Sequence, residues 1–298
     1  MHTKDAEYRG FTLIELAIIL IVVGLITAGI LIGRDMIRAA EVRTQVAEIN
    51  KYDLAANTFI EKYNCLPGDC KNAVMLGVGT AGGTGGNGDG NNQVFGGANW
   101  GALILPNESI DFWYHLAKAG LIVGDYPGYT VGDPHIFYAG DYLPNPIIKN
   151  EHRASPTLIW GVSTGGWHAL TIKAWEDSDE IGGRYDFTGL FEDKSSHYWY
   201  LGTSIVYPSP AAGVWLPRDA YAVDAKIDDG MPRTGKMRVF SGSPSGWPIT
   251  GWDPAETPTQ PTCVDKTVTP FAYNIQETTL NDTTYMNLLC AVLIRTTF

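Results

Sequence analysis

A single carboxylate, Glu15, sits inside an apolar run that opens at Phe11 and continues to Gly33. Its natural chemistry there is charge pairing, because a lone carboxylate in lipid costs roughly 2.5–3.5 kcal/mol on insertion scales. The run covers about 23 residues, enough to span a bilayer, and holds no second charge. The partner is therefore expected from outside the span. The first ten residues stop at Gly10, and a cut after that glycine would create an amine on Phe11, four residues before Glu15. Gly10, Phe11 and Glu15 thus share one chemistry, cleavage followed by ion pairing.

Cys65, Cys70, Cys263 and Cys290 form the second candidate set. An even number of cysteines in a domain beyond a membrane predicts disulfides. Zinc is the alternative, but the spacing contains no C-x-x-C and no close histidine pair. Of three possible connectivities the simplest is Cys65–Cys70 with Cys263–Cys290, for which loop entropy predicts roughly 2 and 3.5 kcal/mol.

Other constellations have competing readings. Gly161-Val162-Ser163-Thr164-Gly165 matches the nucleophile elbow of α/β-hydrolases, which needs a strand, a sharp turn and then a helix. Trp167 to Ala174 is rich in strand formers instead, and only His168 and His197 follow, so a hairpin turning at Thr164-Gly165-Gly166 is preferred to a catalytic Ser163. Asp228 and Asp229 before Gly230 are candidate calcium ligands, and equally what a helix end entering a turn looks like. Asp89 stands alone among glycines. The histidines show no metal-ligand spacing, and His115 reads as a satisfied, partly buried residue. Nine tryptophans and 15 tyrosines are read chiefly as core. A minority around Trp247 and Trp252 could form an exposed patch for a sugar or protein.

These residues need elements to position them. After Gly33 the helix pattern continues, with Val42, Val46, Ile49, Tyr52, Ala56, Phe59 and Tyr63 along one face. Leu66-Pro67-Gly68 ends it. Its first half is apolar all round, and its second needs a sheet or other structure to cover the stripe. Residues 77–97, rich in glycine and asparagine, read as a flexible surface excursion; no Gly-Lys-Ser/Thr follows that would cradle phosphate. A helix is predicted over 107–119, capped by Asn107 or Ser109 and closed by Gly120. Gly-Asp turns begin at Gly124, Gly132 and Gly140. Strands are predicted at 157–163, 167–174, 199–207, 236–240, 268–275 and 288–295, with a short helix over 219–227. Helix first and strands later predicts an α+β fold with a mainly antiparallel sheet packed on the long helix. A net charge of −11 argues against nucleic acid as a partner, which would need basic patches.

The N-terminal segment resembles the signature of type IV pilins and type II secretion pseudopilins: a short leader ending in glycine, then Phe, a hydrophobic helix, and Glu fifth in the mature chain. Here these are Gly10, Phe11 and Glu15. The resemblance implies that a prepilin peptidase cleaves between Gly10 and Phe11 and methylates the new amine, and that Glu15 pairs with a Phe11 amine as subunits join a filament. This chain lacks the proline that many members carry in the apolar helix. Phe59 to Asp69, Glu108 to Ile122 and Lys226 to Gly235 also resemble framework segments of a pilin-like subgroup. The loop bounded by Cys263 and Cys290 is similar to the disulfide-bounded region of many type IV pilins.

Two other readings of the apolar run compete. A secretory signal peptide would have a core of roughly 7–15 residues and a small-residue cut after it. A plain signal anchor leaves Glu15 and the Gly10-Phe11 start unexplained. Charge asymmetry says little about topology, since Lys4 and Arg9 are offset by Asp5 and Glu7.

The expectation is a leader at 1–10, a long helix at 11–63 with its membrane segment at 11–33, and a globular domain at 64–298. The chain would be a minor pilin or pseudopilin, a non-enzymatic single-pass inner-membrane subunit with its domain in the periplasm, later entering a pilus or pseudopilus. Its partners would be the prepilin peptidase, other such subunits, the assembly platform and the bilayer, with no cofactor beyond the calcium candidate. The alternative is a filament-associated binding or adhesion module that uses the aromatic-rich domain.

Overall fold

A computed structural model describes residues 12–81, 85–94, 108–128, 143–148, 167–171, 196–201, 214–241, 263–265, 270–275 and 290–298. The chain divides into two compact units, 1–42 and 43–298.

Helix α1 runs from Leu13 to Tyr63. It starts two residues after the predicted Phe11, because Thr12 is its cap. From Leu13 to Ile32 it is exposed and, Glu15 apart, without charge: Leu13 is 88% exposed and Leu25 69%. This helix is long and apolar enough to cross a membrane. It ends at Tyr63, the expected last residue, just ahead of Leu66-Pro67-Gly68. Asn64 takes a left-handed φ of 55°, and its N–H returns to Ile60 O at 2.8 Å. Asparagine is among the few non-glycine residues that tolerate that conformation.

In the second unit α1 turns amphipathic. Ile49, Tyr52, Ala56 and Phe59 are buried, as the spacing predicts. Gln45 and Asp53 are buried on the same face despite their polarity, and each has partners. Gln45 Oε1 accepts from Ile147 N–H at 2.8 Å and Ile148 N–H at 3.2 Å. Asp53 Oδ1 accepts the Trp199 indole N–H at 2.7 Å.

Helix α2 spans Glu108–Lys118. That start makes Ser109 its second residue rather than its cap, and Asn107 lies outside the described residues. Its C-terminus closes as expected at Gly120, with φ of 70°. Gly120 N–H reaches Ala117 O at 2.9 Å and Leu121 N–H reaches Leu116 O at 3.0 Å, a Schellman motif.

The sheet contains β1 (Trp167–Thr171), β2 (His197–Leu201), β3 (Met237–Ser241) and β6 (Cys290–Arg295), in the order β1-β2-β6-β3. Every pairing is antiparallel. Strand β6 pairs on both edges and is buried from Cys290 to Ile294. Helix α3 spans Pro217–Ile227, two residues earlier than predicted. Pro217 supplies the start, since its fixed φ suits the first turn and its missing N–H has no helical partner there anyway. A two-stranded ribbon pairs β4 (Val264–Asp265) with β5 (Ala272–Tyr273). Strand β4 was not predicted; two residues carry too little periodicity to read. The proposed hairpin arm at 157–163, the turns at Gly132 and Gly140, and Trp247 and Trp252 lie outside the described residues. The described partner of β1 is β2.

Aromatic rings fill the space between α1, α2 and the sheet. Trp113 stands 4.9 Å from Tyr52 and 5.4 Å from Trp199, and Phe112 lies 5.5 Å from Trp199. The chain is thus α+β, with a long N-terminal apolar helix and a small antiparallel sheet.

Candidate functional site

The candidate site at the start of α1 is built by Thr12, Glu15 and Leu16. Thr12 is the cap, and both of its donors converge on Glu15 Oε2, the backbone N–H at 2.8 Å and the hydroxyl at 2.8 Å. In return Glu15 N–H donates to Thr12 Oγ1 at 3.3 Å, and Leu16 N–H donates to Thr12 O at 3.2 Å. This is a reciprocal capping box. It gives Glu15 hydrogen-bond donors within the apolar run, in addition to the cation expected from outside the span. Thr12-x-x-Glu15 ahead of an apolar run is the sequence signature of such a box. Gly10 and Phe11, between which a cut is expected, lie outside the described residues.

The four cysteines pair as Cys65–Cys70 and Cys263–Cys290, each with Cα atoms 5.2 Å apart. The first closes the turn that carries Asp69. The second ties the start of β4 to the start of β6, where Cys290 also bridges Trp215.

Two acidic groups come together. In the first, carboxylate oxygens of Asp69, Asp89 and Glu108 lie within 4.8 Å of one another. Asp69 and Glu108 are buried and Asp89 is exposed. Asp69 Oδ1 accepts N–H groups from Gly90 at 2.6 Å and Asn91 at 3.1 Å, and its Oδ2 accepts from Asn92 at 2.8 Å. Glu108 Oε1 accepts from Asp89 N–H at 3.2 Å. Burial, with the Asp89 charge adding to it, pushes Asp69 up to about 6 against the pull of those amides. The donor types suit a hard cation such as calcium, but Asp69 already serves three loop amides.

The same geometry corrects the reading of residues 85–94 as a loose excursion. A Cβ on Gly88 would stand 2.3 Å from Asp69 Cα, so this glycine is there for close approach. Val94 is fully buried. His115 completes the clamp. Gly68 N–H donates to its Nδ1 at 2.9 Å, and its Nε2 faces Gly86 O at 3.0 Å. An accepting Nδ1 and a donating Nε2 describe a neutral ring. Burial holds its pKa down to about 4. His115 is wholly rather than partly buried.

In the second group Asp224, in the last turn of α3, converges with Asp228 and Asp229 just beyond it. Asp228 Oδ2 accepts from Lys236 N–H and from Met237 N–H, the latter at 3.3 Å. Asp229 accepts from Met231 N–H at 2.8 Å and from the Thr234 hydroxyl at 2.5 Å. These two candidate calcium ligands thus brace the turn between α3 and β3. Asp224, not singled out in the sequence, is fully buried and accepts the Tyr273 hydroxyl at 2.7 Å. Burial first, then the Asp229 and Asp228 charges, raise it to about 7.

The described tryptophans with burial values, Trp113, Trp199 and Trp215, are all buried and form core rather than an aromatic surface. Ser163 lies outside the described residues. No family model, curated protein or solved structure matches this chain.

Proposed function

We propose that the chain is a pilin-like subunit, a minor pilin or pseudopilin, that is cleaved after Gly10 and polymerises through its N-terminal helix. One observation carries the reading: α1 presents an exposed apolar surface from Leu13 to Ile37 whose only charge before Arg34 is Glu15, in the first turn. Such a helix is stable in lipid or among copies of itself, and its carboxylate is placed to meet a terminal amine. The α+β domain with two disulfides supports exposure in an oxidising compartment beyond the membrane. In this reading the helix anchors the precursor in the inner membrane, the domain stands in the periplasm, and the assembly platform draws the subunit into a pilus or pseudopilus. Its role is structural rather than enzymatic.

The test is intact mass and N-terminal sequencing of the protein from a host with an active prepilin peptidase. A chain beginning at methylated Phe11 is expected. A terminus still at Met1 under those conditions removes the reading in favour of a plain membrane anchor.

A further inference from the structure

We propose that Thr12 is a positioning residue for Glu15, holding the carboxylate at the start of α1 before any second subunit arrives. The inference rests on the pilin-like reading and adds to it a residue that prepares the ion pair.

The geometry is reciprocal. Thr12 donates twice to Glu15 Oε2, and Glu15 N–H donates back to the Thr12 hydroxyl. Across residues 12–33 the only polar side chains are Thr12, Glu15 and Thr27. Thr27 lies about 18 Å further along the helix at 1.5 Å per residue, and its hydroxyl donates to Val23 O at 2.9 Å and Gly24 O at 3.0 Å. Within the apolar helix Thr12 is therefore the side chain able to satisfy Glu15. An unsatisfied carboxylate in hydrocarbon is strongly disfavoured, so the box eases the wait of the subunit in the bilayer.

Both Thr12 donors also lie downstream of the proposed cut. The box is built from atoms that cleavage leaves in place, so it can serve precursor and mature chain alike. The two donors share one oxygen, and a carboxylate has about four acceptor positions over its two oxygens. Oε1 can then take an incoming amine without breaking the cap. Capping and pairing are compatible, and the first orients the group for the second.

The test compares full-length wild type, Thr12→Val and Thr12→Ser in cells that carry the assembly machinery. Three quantities are read: N-terminal mass, the fraction sheared from cells as sedimentable filament, and amide hydrogen exchange over residues 12–16 in detergent micelles. The valine variant keeps the shape without the hydroxyl. It is expected to be cut and membrane-inserted normally, to exchange roughly fivefold faster at the helix start, as loss of one cap predicts, and to assemble several-fold less. Serine should restore both exchange and assembly. Unchanged exchange and assembly in the valine variant overturn the proposal. So does a serine variant that fails like valine, or a valine variant left uncut, since its assembly defect would then be one of processing. If wild type itself remains at Met1 and forms no filament, the pilin-like reading fails and the assembly role of Thr12 fails with it. The exchange comparison then still decides whether Thr12 holds Glu15.

Discussion

Asp53 on α1 and Trp199 on β2 are joined by a 2.7 Å hydrogen bond from indole N–H to carboxylate. Asp53 is buried, and Lys236 approaches its other oxygen at 3.4 Å. A charge on the buried face of a helix is tolerated only with such partners. The pair thus ties the amphipathic half of α1 to the sheet by a directional bond as well as by apolar packing. Replacing Trp199 with Phe leaves the carboxylate without its buried donor and should cost about 1–3 kcal/mol. Lys236→Met should cost under about 1 kcal/mol, because that amine is a third exposed. Denaturant unfolding of the detergent-solubilised protein measures both; a larger loss for Lys236→Met than for Trp199→Phe would mean that the ion pair, not the indole, dominates.

His115 predicts acid sensitivity. Unfolded, its imidazole takes a proton near 6.5; folded, burial delays this to about 4. Between those values the unfolded chain binds more protons, so stability falls as pH drops from 6.5 towards 4. The full effect is on the order of 3 kcal/mol. Asp69 works in the opposite direction. Its folded pKa of about 6 exceeds its ordinary 3.8, so it adds stability as pH falls through that interval. His115→Gln should therefore lose about 1–2 kcal/mol at pH 7 yet gain stability relative to wild type as pH falls from 7 to 4, because the histidine's loss is removed while the opposing gain of Asp69 remains. A variant that keeps the wild-type slope would locate the acid-sensitive group elsewhere.

Asp224 should make the α3 turn most stable when that carboxyl is protonated. Its folded pKa of about 7 lies above the ordinary 3.8. The native state holds the proton longer, and stability declines as pH rises through that window. Asn at 224 keeps an acceptor for the Tyr273 hydroxyl and removes the buried charge. The melting temperature of Asp224→Asn at pH 8 should exceed wild type by about 2–4 °C, with the difference closing at pH 5. A lower melting temperature at pH 8 would mean that the carboxylate is paired with a cation.

The two disulfides should differ in weight. Cys263 and Cys290 are 27 residues apart and Cys65 and Cys70 only 5. The longer loop constrains the unfolded chain more, by about 3.5 against 2 kcal/mol. Cys290 is also fully buried beside Trp215 at the start of the central strand. Cys263→Ser/Cys290→Ser should therefore lower the denaturation midpoint more than Cys65→Ser/Cys70→Ser, whereas loss of the short bridge should chiefly loosen residues 65–94. Hydrogen exchange over those loops separates the two effects.

The sequence by itself determined what depends on near neighbours. The apolar run with Glu15, the periodic face from Ile49 to Phe59 and the stop at Gly120 are legible because helix geometry couples residues three to five apart. The Thr12–Glu15 box is equally local and was legible in principle. Strand positions could be read roughly, but the order β1-β2-β6-β3 could not, since hydrogen bonding between strands far apart in sequence leaves no periodic trace in either. Tertiary structure alone decided where charge and polarity sit inside. Asp53 is buried because Trp199 meets it from the sheet. Asp69 gathers the amides of 90–92, and His115 is neutral because Gly68 and Gly86 approach its two nitrogens. Each of these depends on desolvation by groups distant in sequence, and burial of that kind is a property of the packed molecule rather than of any segment.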